Sequence, residues 1–272
     1  MGVLNVTPDS FSDGARFFQS GKVNLNYLED QAGKMLDDGA DVLDIGGEST
    51  RPFADEVHLD EELQRVMPVI ERLRHLDTIL SVDTSKPEVA TQAIAAGCNL
   101  VNDVTGFTDP RMVAAVAKSD VGVCVMHMQG KPRTMQAEPH YDDVVIEVRQ
   151  FLAQQVQALN DSGVADTRIM IDPGFGFGKT LDHNLELLCR LLELQVENLP
   201  ILAGWSRKSS LGEITGRSVT ERKSASVTAA LLAVQKGAAM VRVHDVQETV
   251  DSLKVWQATN CHERMRGRKH GN

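Results

Sequence analysis

The chain has 272 residues, a length that fits either one α/β barrel or two small domains. Its formal net charge of −10 at pH 7 excludes a broad nucleic-acid-binding surface, because such a surface needs a basic face. Hydrophobic residues at 42% and charged residues at 24% are ordinary for a globular protein, and the lack of a linker or composition shift predicts a single domain.

Cysteine content and hydropathy limit the cellular context. The four cysteines are scattered and form no CxxC pair, so the sequence predicts neither a disulfide scaffold nor a structural zinc site. The chain opens on an apolar run without a basic leader, and no apolar stretch approaches the roughly 20 residues of a membrane span. We therefore expect a cytoplasmic protein with neither a membrane nor a nucleic acid as partner.

Eight short apolar runs along the chain end in polar side chains, and segments with helical periodicity separate them. In chain order they are GVLNV with Asn5, DVLDI with Asp44, ILSVD with Asp83, LVND with Asn102 and Asp103, VCVMH with His127, IMID with Asp172, ILAG before Ser206, and MVRVH with Arg242 and His244. A repeated strand, polar end and helix predicts an α/β fold of the (β/α)8 TIM-barrel type. Because the carboxyl ends of the strands form the active-site face of such a barrel, these side chains are expected to share one pocket.

Loops, helices and the chain end complete the predicted plan. Two irregular stretches, residues 7–23 and 46–58, follow the first two strands, and long loops in compact domains are usually functional. Apolar residues at i, i+3, i+4 and i+7 predict helices over 63–73 and 141–162 and a final helix from 246. Residues 262–272 are polar and basic, so we expect a disordered tail beyond a barrel of residues 1–261.

The segment DPGFGFGKT is similar to a phosphate-binding Walker A loop, GxxxxGK[ST], but departs from it at one position. Gly178, Lys179 and Thr180 fit, whereas Pro173 stands at the first glycine and has no N–H to donate to phosphate. We therefore predict that these glycines instead let the backbone approach a flat ligand, with Phe175 or Phe177 as an aromatic wall.

Carboxylates and an amide at strand ends indicate the ligand type. Any one of Asp83, Asn102 and Asp172 could simply cap the next helix. Together they suit a heterocycle with an amino group and ring nitrogens, since a carboxylate accepts two parallel N–H donors and Asn102 supplies both a donor and an acceptor.

Cationic side chains after the last two strands predict an anion site. The segments Ser206-Arg207-Lys208-Ser209 and Arg242-Val243-His244 lie where barrels commonly bind phosphate, and Arg51 from the second loop could close over the same anion. A surface ion pair is the alternative for Arg242, but an arginine between two valines of a strand favours a functional head group.

Several motifs together resemble one family, dihydropteroate synthase. They are MGVLNVTPDSFSDG, DIGGESTRP, SVDTSKPEV, NDV, MHMQGKP, DPGFGFGKT, SRKSSLG and VRVHDV. Their order and spacing agree with the family over essentially the whole chain. The resemblance implies condensation of 6-hydroxymethyl-7,8-dihydropterin pyrophosphate with 4-aminobenzoate to 7,8-dihydropteroate and pyrophosphate, in folate biosynthesis. It also implies inhibition by sulfonamides and a homodimer formed through helices late in the chain.

The resemblance also implies roles for individual residues. The implied pterin site consists of Asp83, Asn102, Met126, Asp172, Phe177, Gly204 and Lys208. The implied pyrophosphate site consists of Asn5, Arg51, Arg242 and His244, with Mg²⁺ between Asn5 and the phosphates. The implied aminobenzoate site and its loops contribute Phe11, Asp13, Thr50, Arg51, Pro52 and Ser209. The implied catalytic set is Asp83, Asp172, Lys208, Arg242 and His244.

The family suggests a largely dissociative substitution. Positive charge on the pterin would be compensated by Asp83 and Asp172, and the neutral arylamine would need no general base. A pterin-dependent methyltransferase and a non-catalytic pterin-binding protein are the alternatives. Both would have little use for the diphosphate-type residues Lys208, Arg242 and His244.

Two features depart from the family pattern. Phe53 stands where a glycine is common, and we hypothesise that it alters sulfonamide sensitivity. The chain also starts at the first barrel strand, without the upstream strands usual in the family, so we expect either a misplaced start codon or a less covered barrel floor.

Overall fold

The structure, a computed structural model, describes residues 1–7, 18–19, 22–49, 56–130 and 134–269. Eight short parallel strands stand at its centre. They are β1 (Gly2–Asn5), β2 (Val42–Gly46), β3 (Ile79–Asp83), β4 (Leu100–Asp103), β5 (Gly122–Met126), β6 (Ile169–Asp172), β7 (Leu202–Ala203) and β8 (Met240–Val241). Each of the eight apolar runs of the sequence contains or adjoins one of these strands. A small antiparallel hairpin joins Phe18–Gln19 to Lys22–Val23.

The strands follow chain order around a closed barrel. The six strands β1 to β6 form one parallel sheet, and β7 pairs with β8. Two parallel bridges close the ring, Ile171 with Ile201 and Gly2 with Val243, and Val3 N donates to Val243 O at 3.0 Å. The predicted (β/α)8 barrel is confirmed.

Nine α-helices lie within the described ranges and pack outside the strands. They are α1 (Leu25–Asp37), α2 (Leu59–Leu73), α3 (Pro87–Ala96), α4 (Pro110–Ala117), α5 (Val144–Asp161), α6 (Leu181–Cys189), α7 (Ser209–Thr215), α8 (Lys223–Gln235) and α9 (Val246–Lys269). The helices predicted over 63–73, over 141–162 and from 246 are present as α2, α5 and α9.

The helix ends explain two departures from the predicted bounds. Helix α2 begins four residues earlier than its apolar pattern, with Asp60, Glu61 and Glu62 in a first turn where negative charge is favourable. The prediction of a disordered tail from residue 262 is wrong for residues 262–269, which continue α9. Basic residues near a helix C-terminus are compatible with the helix dipole, so polarity alone does not end a helix.

The apolar core has two parts, one outside the barrel strands and one inside the barrel. Outward strand side chains such as Leu43, Ile45 and Val101 are fully buried against the helices. A separate apolar cluster fills the barrel from inside at the amino ends of the strands: Met1, Val42, Leu100, Cys124 and Leu202, with Met170 and Met240 against them. This cluster is a packed floor, so a ligand can enter only from the carboxyl-end face of the barrel.

Among the helices that the structure describes, none combines the length and the apolar character needed to cross a bilayer.

The outer core should be far more sensitive to truncation than the helix surface. On α5, Leu152 is fully buried whereas the exposed fraction of Ile146 is 50%. We expect Leu152→Ala to lower the free energy of unfolding by about 2–5 kcal/mol, because the change leaves a cavity, and Ile146→Ala to change it by less than about 1 kcal/mol. Urea denaturation followed by circular dichroism measures both values. Equal losses for the two variants would contradict this packing.

Candidate active site

The predicted strand-end residues meet at the carboxyl-end mouth of the barrel. Asp83 and Asn102 are Cα partners on the neighbouring strands β3 and β4, and Met126 and Asp172 are partners on β5 and β6. Parallel strands in this register point these side chains to the same side of the wall. Residues nearly 90 positions apart therefore line one pocket.

One part of this wall presents acceptors without partners. Asp83 Oδ1 and Asn102 Oδ1 are buried, and neither accepts a hydrogen bond from any residue that the structure describes. Burial, and next the nearby carboxylate of Asp44, raise the pKa of Asp83, while Arg242 opposes the shift. Asp172 differs, because its Oδ1 accepts from Gly174 N at 2.7 Å and so holds the loop after β6. Unsatisfied buried acceptors are costly, which makes the wall a receptor for N–H donors.

Asp44 lies directly beneath this wall and is the main site residue that sequence reasoning left without a role. Its carboxylate accepts from Ser81 Oγ at 2.6 Å, from Asn102 Nδ2 at 3.3 Å and from Arg242 Nη1 at 3.2 Å. One of the two N–H groups of Asn102 is therefore used inside the barrel, and the expectation that Asn102 offers a ligand both a donor and an acceptor stays a prediction. The signal was a charged residue at an inward position of the buried strand DVLDIG.

Arg242 is held inside the barrel by carboxylates. Besides Asp44, its Nη1 lies 3.7 Å from Asp83 Oδ2, and 9% of its side chain is exposed. Burial alone would lower the pKa of Arg242, but Asp44 and Asp83 more than offset this and raise it. The alternative of a surface ion pair is excluded, because both partners are interior groups at the pocket floor.

Lys208 reaches the opposite side of the pocket. Its Nζ donates to the carbonyl oxygen of Phe175 and lies 4.2 Å from the centre of the Phe177 ring. Burial, followed by the charge of Arg242, lowers the pKa of Lys208 to about 7. An ammonium group this easily deprotonated can donate to a ligand oxygen and can also exchange a proton with it.

The loop after β6 forms the aromatic side of the pocket. Of the two phenylalanines predicted as a wall, Phe175 is fully buried and stacks on Trp205 with ring centres 5.0 Å apart, so only Phe177 serves. Gly174 has φ of +68°, and a side chain there would overlap the carbonyl oxygen of His127. Phe177 packs with Met126, Val104 and Met135 in a buried apolar cluster.

Lys179, the lysine of the phosphate-loop-like motif, is used internally. Its Nζ donates to Phe177 O at 2.9 Å and lies 2.9 Å from His127 Nδ1, and 3% of the residue is exposed. Burial lowers the pKa of Lys179 well below its ordinary value. Lys179 therefore fixes the loop that carries Phe177, which confirms that this motif is no Walker A loop.

The loops after β7 and β8 are joined by two contacts. Ser206 Oγ lies 3.0 Å from His244 Nδ1, which sets the direction of the imidazole ring. Arg207 donates to both oxygens of Asp245, at 3.1 and 2.7 Å, so its expected place among the anion-binding cations is wrong. Arg207 has a left-handed backbone conformation, with φ of +58°. Ser209 is exposed at the start of α7.

Asn5 and Gly46 leave room for an oxygen-bound cation. A Cβ at Gly46 would lie 3.2 Å from Asn5 Oδ1 and 3.9 Å from Asp83 Oδ2, so the glycine keeps a space between two oxygen donors open. Within the described ranges no three His, Cys, Asp or Glu side chains cluster as metal ligands. This donor set fits an ion that takes most of its oxygens from water and substrate, as Mg²⁺ does.

Five expected residues, Phe11, Asp13, Thr50, Arg51 and Pro52, lie outside the described residues, as does Phe53. Among the described residues, Asp83, Asn102, Met126 and Asp172 lie at the carboxyl ends of their strands, and Arg242 lies beside Asp83. Ser209 borders the mouth of the barrel from its outer edge.

Comparison with known proteins shows the family to which the chain belongs. A family model for pterin binding enzymes matches residues 1–244. Fold and site thus define the class, a pterin-binding enzyme built on a (β/α)8 barrel. The chain is 46% identical over 263 residues to the dihydropteroate synthase of Escherichia coli strain K12, covering 95% of this chain and 90% of that protein. The chain belongs to the dihydropteroate synthase family.

Two solved structures are similar over nearly the whole chain. The Yersinia pestis dihydropteroate synthase with a sulfonamide drug has a TM-score of 0.91 and 45% identity, covering 96% of this chain and 94% of that one. The Burkholderia cenocepacia dihydropteroate synthase complexed with 7,8-dihydropteroate has a TM-score of 0.88 and 50% identity, covering 97% and 92%.

The buried His127 should make the fold sensitive to acid. Burial, and then the charge of Lys179, lower the pKa of His127 from 6.5 to about 2, so below pH 6.5 the unfolded chain binds a proton that the folded chain does not. From this residue we expect the free energy of unfolding to fall by about 2 kcal/mol between pH 7.5 and pH 5.

Denaturant titrations at both pH values test this for wild type, His127→Gln and, as control, His140→Gln, whose side chain is exposed. His127→Gln should lose about 2 kcal/mol less than wild type on acidification, and His140→Gln should behave as wild type. Identical pH dependence in all three proteins would show that His127 is not held neutral.

Proposed function

We propose that the chain joins 6-hydroxymethyl-7,8-dihydropterin pyrophosphate to 4-aminobenzoate and releases 7,8-dihydropteroate and pyrophosphate. The observation that carries this function is the pairing of unpartnered acceptors, Asp83 Oδ1 and Asn102 Oδ1, with the cations Lys208 and Arg242 across one barrel mouth. A substrate that joins an amino-heterocycle to a diphosphate leaving group needs both the acceptors and the cations. The dihydropteroate complex of the similar Burkholderia enzyme supports the same product here.

The pterin would lie between polar and apolar walls. Asp83, Asn102 and Asp172 accept from its N–H groups, and Lys208 donates to a ring oxygen or nitrogen. Met126 and Phe177 cover its faces, and the absence of a side chain at Gly204 leaves space beneath the ring. A Cβ at Gly204 would stand 3.3 Å from Arg242 Nε and 3.6 Å from Asp172 Oδ2, inside the space that the ring needs.

The diphosphate would bind at the Asn5, Arg242 and His244 side, with Arg51 from the second loop closing over it. Asn5 Oδ1 would hold Mg²⁺ together with phosphate oxygens and water. When bound, that ion neutralises charge on the leaving diphosphate. Arg242 and His244 contribute hydrogen-bond donors to the same oxygens, and Ser206 holds the His244 ring in place for this.

The chemical step would be a substitution in which the carbon–oxygen bond to diphosphate breaks largely before the new carbon–nitrogen bond forms. The resulting positive charge spreads into the pterin ring, where Asp83 and Asp172 compensate it. The arylamine nitrogen is neutral at pH 7 and attacks without a general base, and it loses its proton afterwards. Phe11, Asp13, Thr50, Arg51, Pro52 and Ser209 would surround the aminobenzoate and exclude water that would capture the cation.

The pterin-dependent methyltransferase and the non-catalytic pterin-binding protein remain the alternatives. Both explain the acceptor wall. Neither explains why buried carboxylates hold Arg242 at the pocket floor while Ser206 orients His244 nearby. The sulfonamide complex of the similar Yersinia enzyme supports sulfonamides as inhibitors of this chain, by competition with 4-aminobenzoate. The cytoplasmic location stays a prediction from the sequence.

The assay that tests the function is pyrophosphate release from the pterin pyrophosphate with Mg²⁺, with and without 4-aminobenzoate. We expect release that depends on 4-aminobenzoate and yields dihydropteroate. Asp172→Asn keeps the acceptor for Gly174 N but loses a charged acceptor in the pocket, so kcat/KM should fall by about 100-fold. Asp182→Asn, an exposed change on α6, is the matched control.

Three outcomes contradict parts of this proposal. A folded wild type that binds pterin without releasing pyrophosphate would favour the carrier or the methyltransferase. Release without 4-aminobenzoate would show that water reaches the cation. Full activity of Asp172→Asn would remove Asp172 from the site.

A homodimer through the late helices is part of the proposal. Its support is that α8 and α9 pack together and expose apolar side chains, Leu232 at 39% and Val255 at 66%. We expect Val255→Asp to weaken self-association by at least about tenfold, because it buries a charge in an apolar contact. Sedimentation velocity measures this, with Ile146→Asp on the distant α5 as control. A monomeric wild type, or equal effects of both variants, would contradict this interface.

A further inference from the structure

We propose that Asp44 is a positioning residue for pterin binding, whose carboxylate fixes the Asn102 amide so that its oxygen, Oδ1, faces the pocket. The inference rests on the proposed pterin site and adds to it a residue below the ligand. The exposed fraction of Asp44 is 2%, and both of its carboxylate oxygens accept hydrogen bonds from protein groups. Asp44 can therefore act on a ligand only through its neighbours.

The Asn102 amide has two ends of similar size and opposite chemistry, so packing alone does not choose its orientation. Its Nδ2 donates to Asp44 Oδ2 at 3.3 Å, and Asn102 is fully buried. In the reversed orientation, Asn102 Oδ1 would face a carboxylate oxygen, and two acceptors without a proton between them repel. The carboxylate of Asp44 therefore selects one of the two orientations.

The selected orientation determines what the pocket can bind. Among the described residues, Asn102 Oδ1 is left without a hydrogen-bond partner. The same is true of Oδ1 of Asp83, which is the Cα partner of Asn102 on β3. Two neighbouring acceptors favour an edge that carries two N–H donors, since a donor relieves the desolvation of each oxygen. A heterocycle that places a carbonyl oxygen or an unprotonated ring nitrogen against Asn102 Oδ1 is disfavoured.

Asp44 has two other contacts through which it could influence the pocket. Arg242 Nη1 donates to the same carboxylate oxygen as Asn102, and Ser81 Oγ donates to the other one at 2.6 Å. A simple loss of activity after substitution would not separate these routes. The measurement must isolate pterin binding from diphosphate binding, and the Asn102 route from the Arg242 route.

The separating experiment is a double-mutant cycle with 6-hydroxymethyl-7,8-dihydropterin, which carries no diphosphate, as the calorimetric ligand. The proteins are wild type, Asp44→Asn, Asn102→Ala and the double variant. Asparagine at position 44 keeps the size but can offer Asn102 either an acceptor or a donor. We expect Asp44→Asn to raise the Kd by about 10- to 100-fold in the wild-type background and by less than about threefold in the Asn102→Ala background.

If the effects of Asp44→Asn and Asn102→Ala on the Kd were additive, the proposal would be overturned. The effect of Asp44 on binding would then be assigned to its contact with Arg242. Ser81→Ala removes the bond to the other carboxylate oxygen and is the matched control, with a Kd within about threefold of wild type. A folded wild type that binds no dihydropterin would overturn the proposed function together with this inference. A wild type that binds it in an additive cycle would overturn this inference alone.

Neutron diffraction of the deuterated wild type with bound dihydropterin gives a second test that needs no variant. The proposal requires deuterium density on the Asn102 nitrogen that faces Asp44, and an Asn102 oxygen that faces a ligand N–H. The reverse arrangement would overturn it. This test remains available if Asp44→Asn does not fold, because it uses only the wild type.

Discussion

The hydrogen bonds by which Asp44 holds Asn102 and Arg242 inside the barrel are the interaction on which the site depends. Asp44 lies on β2, Ser81 and Asn102 lie on β3 and β4, and Arg242 directly follows β8, so one carboxylate joins residues from four of the eight strand segments. A buried carboxylate is tolerable only when it is fully paired, and a guanidinium and two neutral donors meet that condition. At the amino ends of the strands the interior of the barrel is apolar.

Above the apolar part of the barrel, the pocket presents acceptor oxygens for the N–H groups of a substrate and cationic side chains for its anionic group. Asp83 and Asn102 keep oxygens without partners, whereas Lys208 and Arg242 keep positive charge nearby, held by Phe175 O and by carboxylates. Lys179 and Gly174 fix the loop that places Phe177 beside Lys208. The pocket is thus preorganised for a flat donor-rich ring with an anionic group, which agrees with membership in the dihydropteroate synthase family.

Sequence reasoning located the site well because parallel strands impose a rule. Polar residues that end apolar strands must gather at one face, and Asp83, Asn102, Asp172 and Arg242 do so. The interpretation of the sequence was wrong where the direction of a side chain depends on backbone conformation or on packing. Arg207 has a left-handed conformation and pairs with Asp245, and Phe175 packs on Trp205 inside the core. Sequence spacing contains neither fact.

The sequence by itself determined the fold class, the eight strands and the chemistry gathered at their ends, because periodicity and strand-end polarity are local properties. Only the tertiary structure decided that Asp44 accepts a hydrogen bond from Asn102, that Lys179 is buried against His127, and that α9 continues to Lys269. The first two depend on which side chains from distant strands and loops meet, and on how burial alters their charges. Those contacts exist only after the barrel closes.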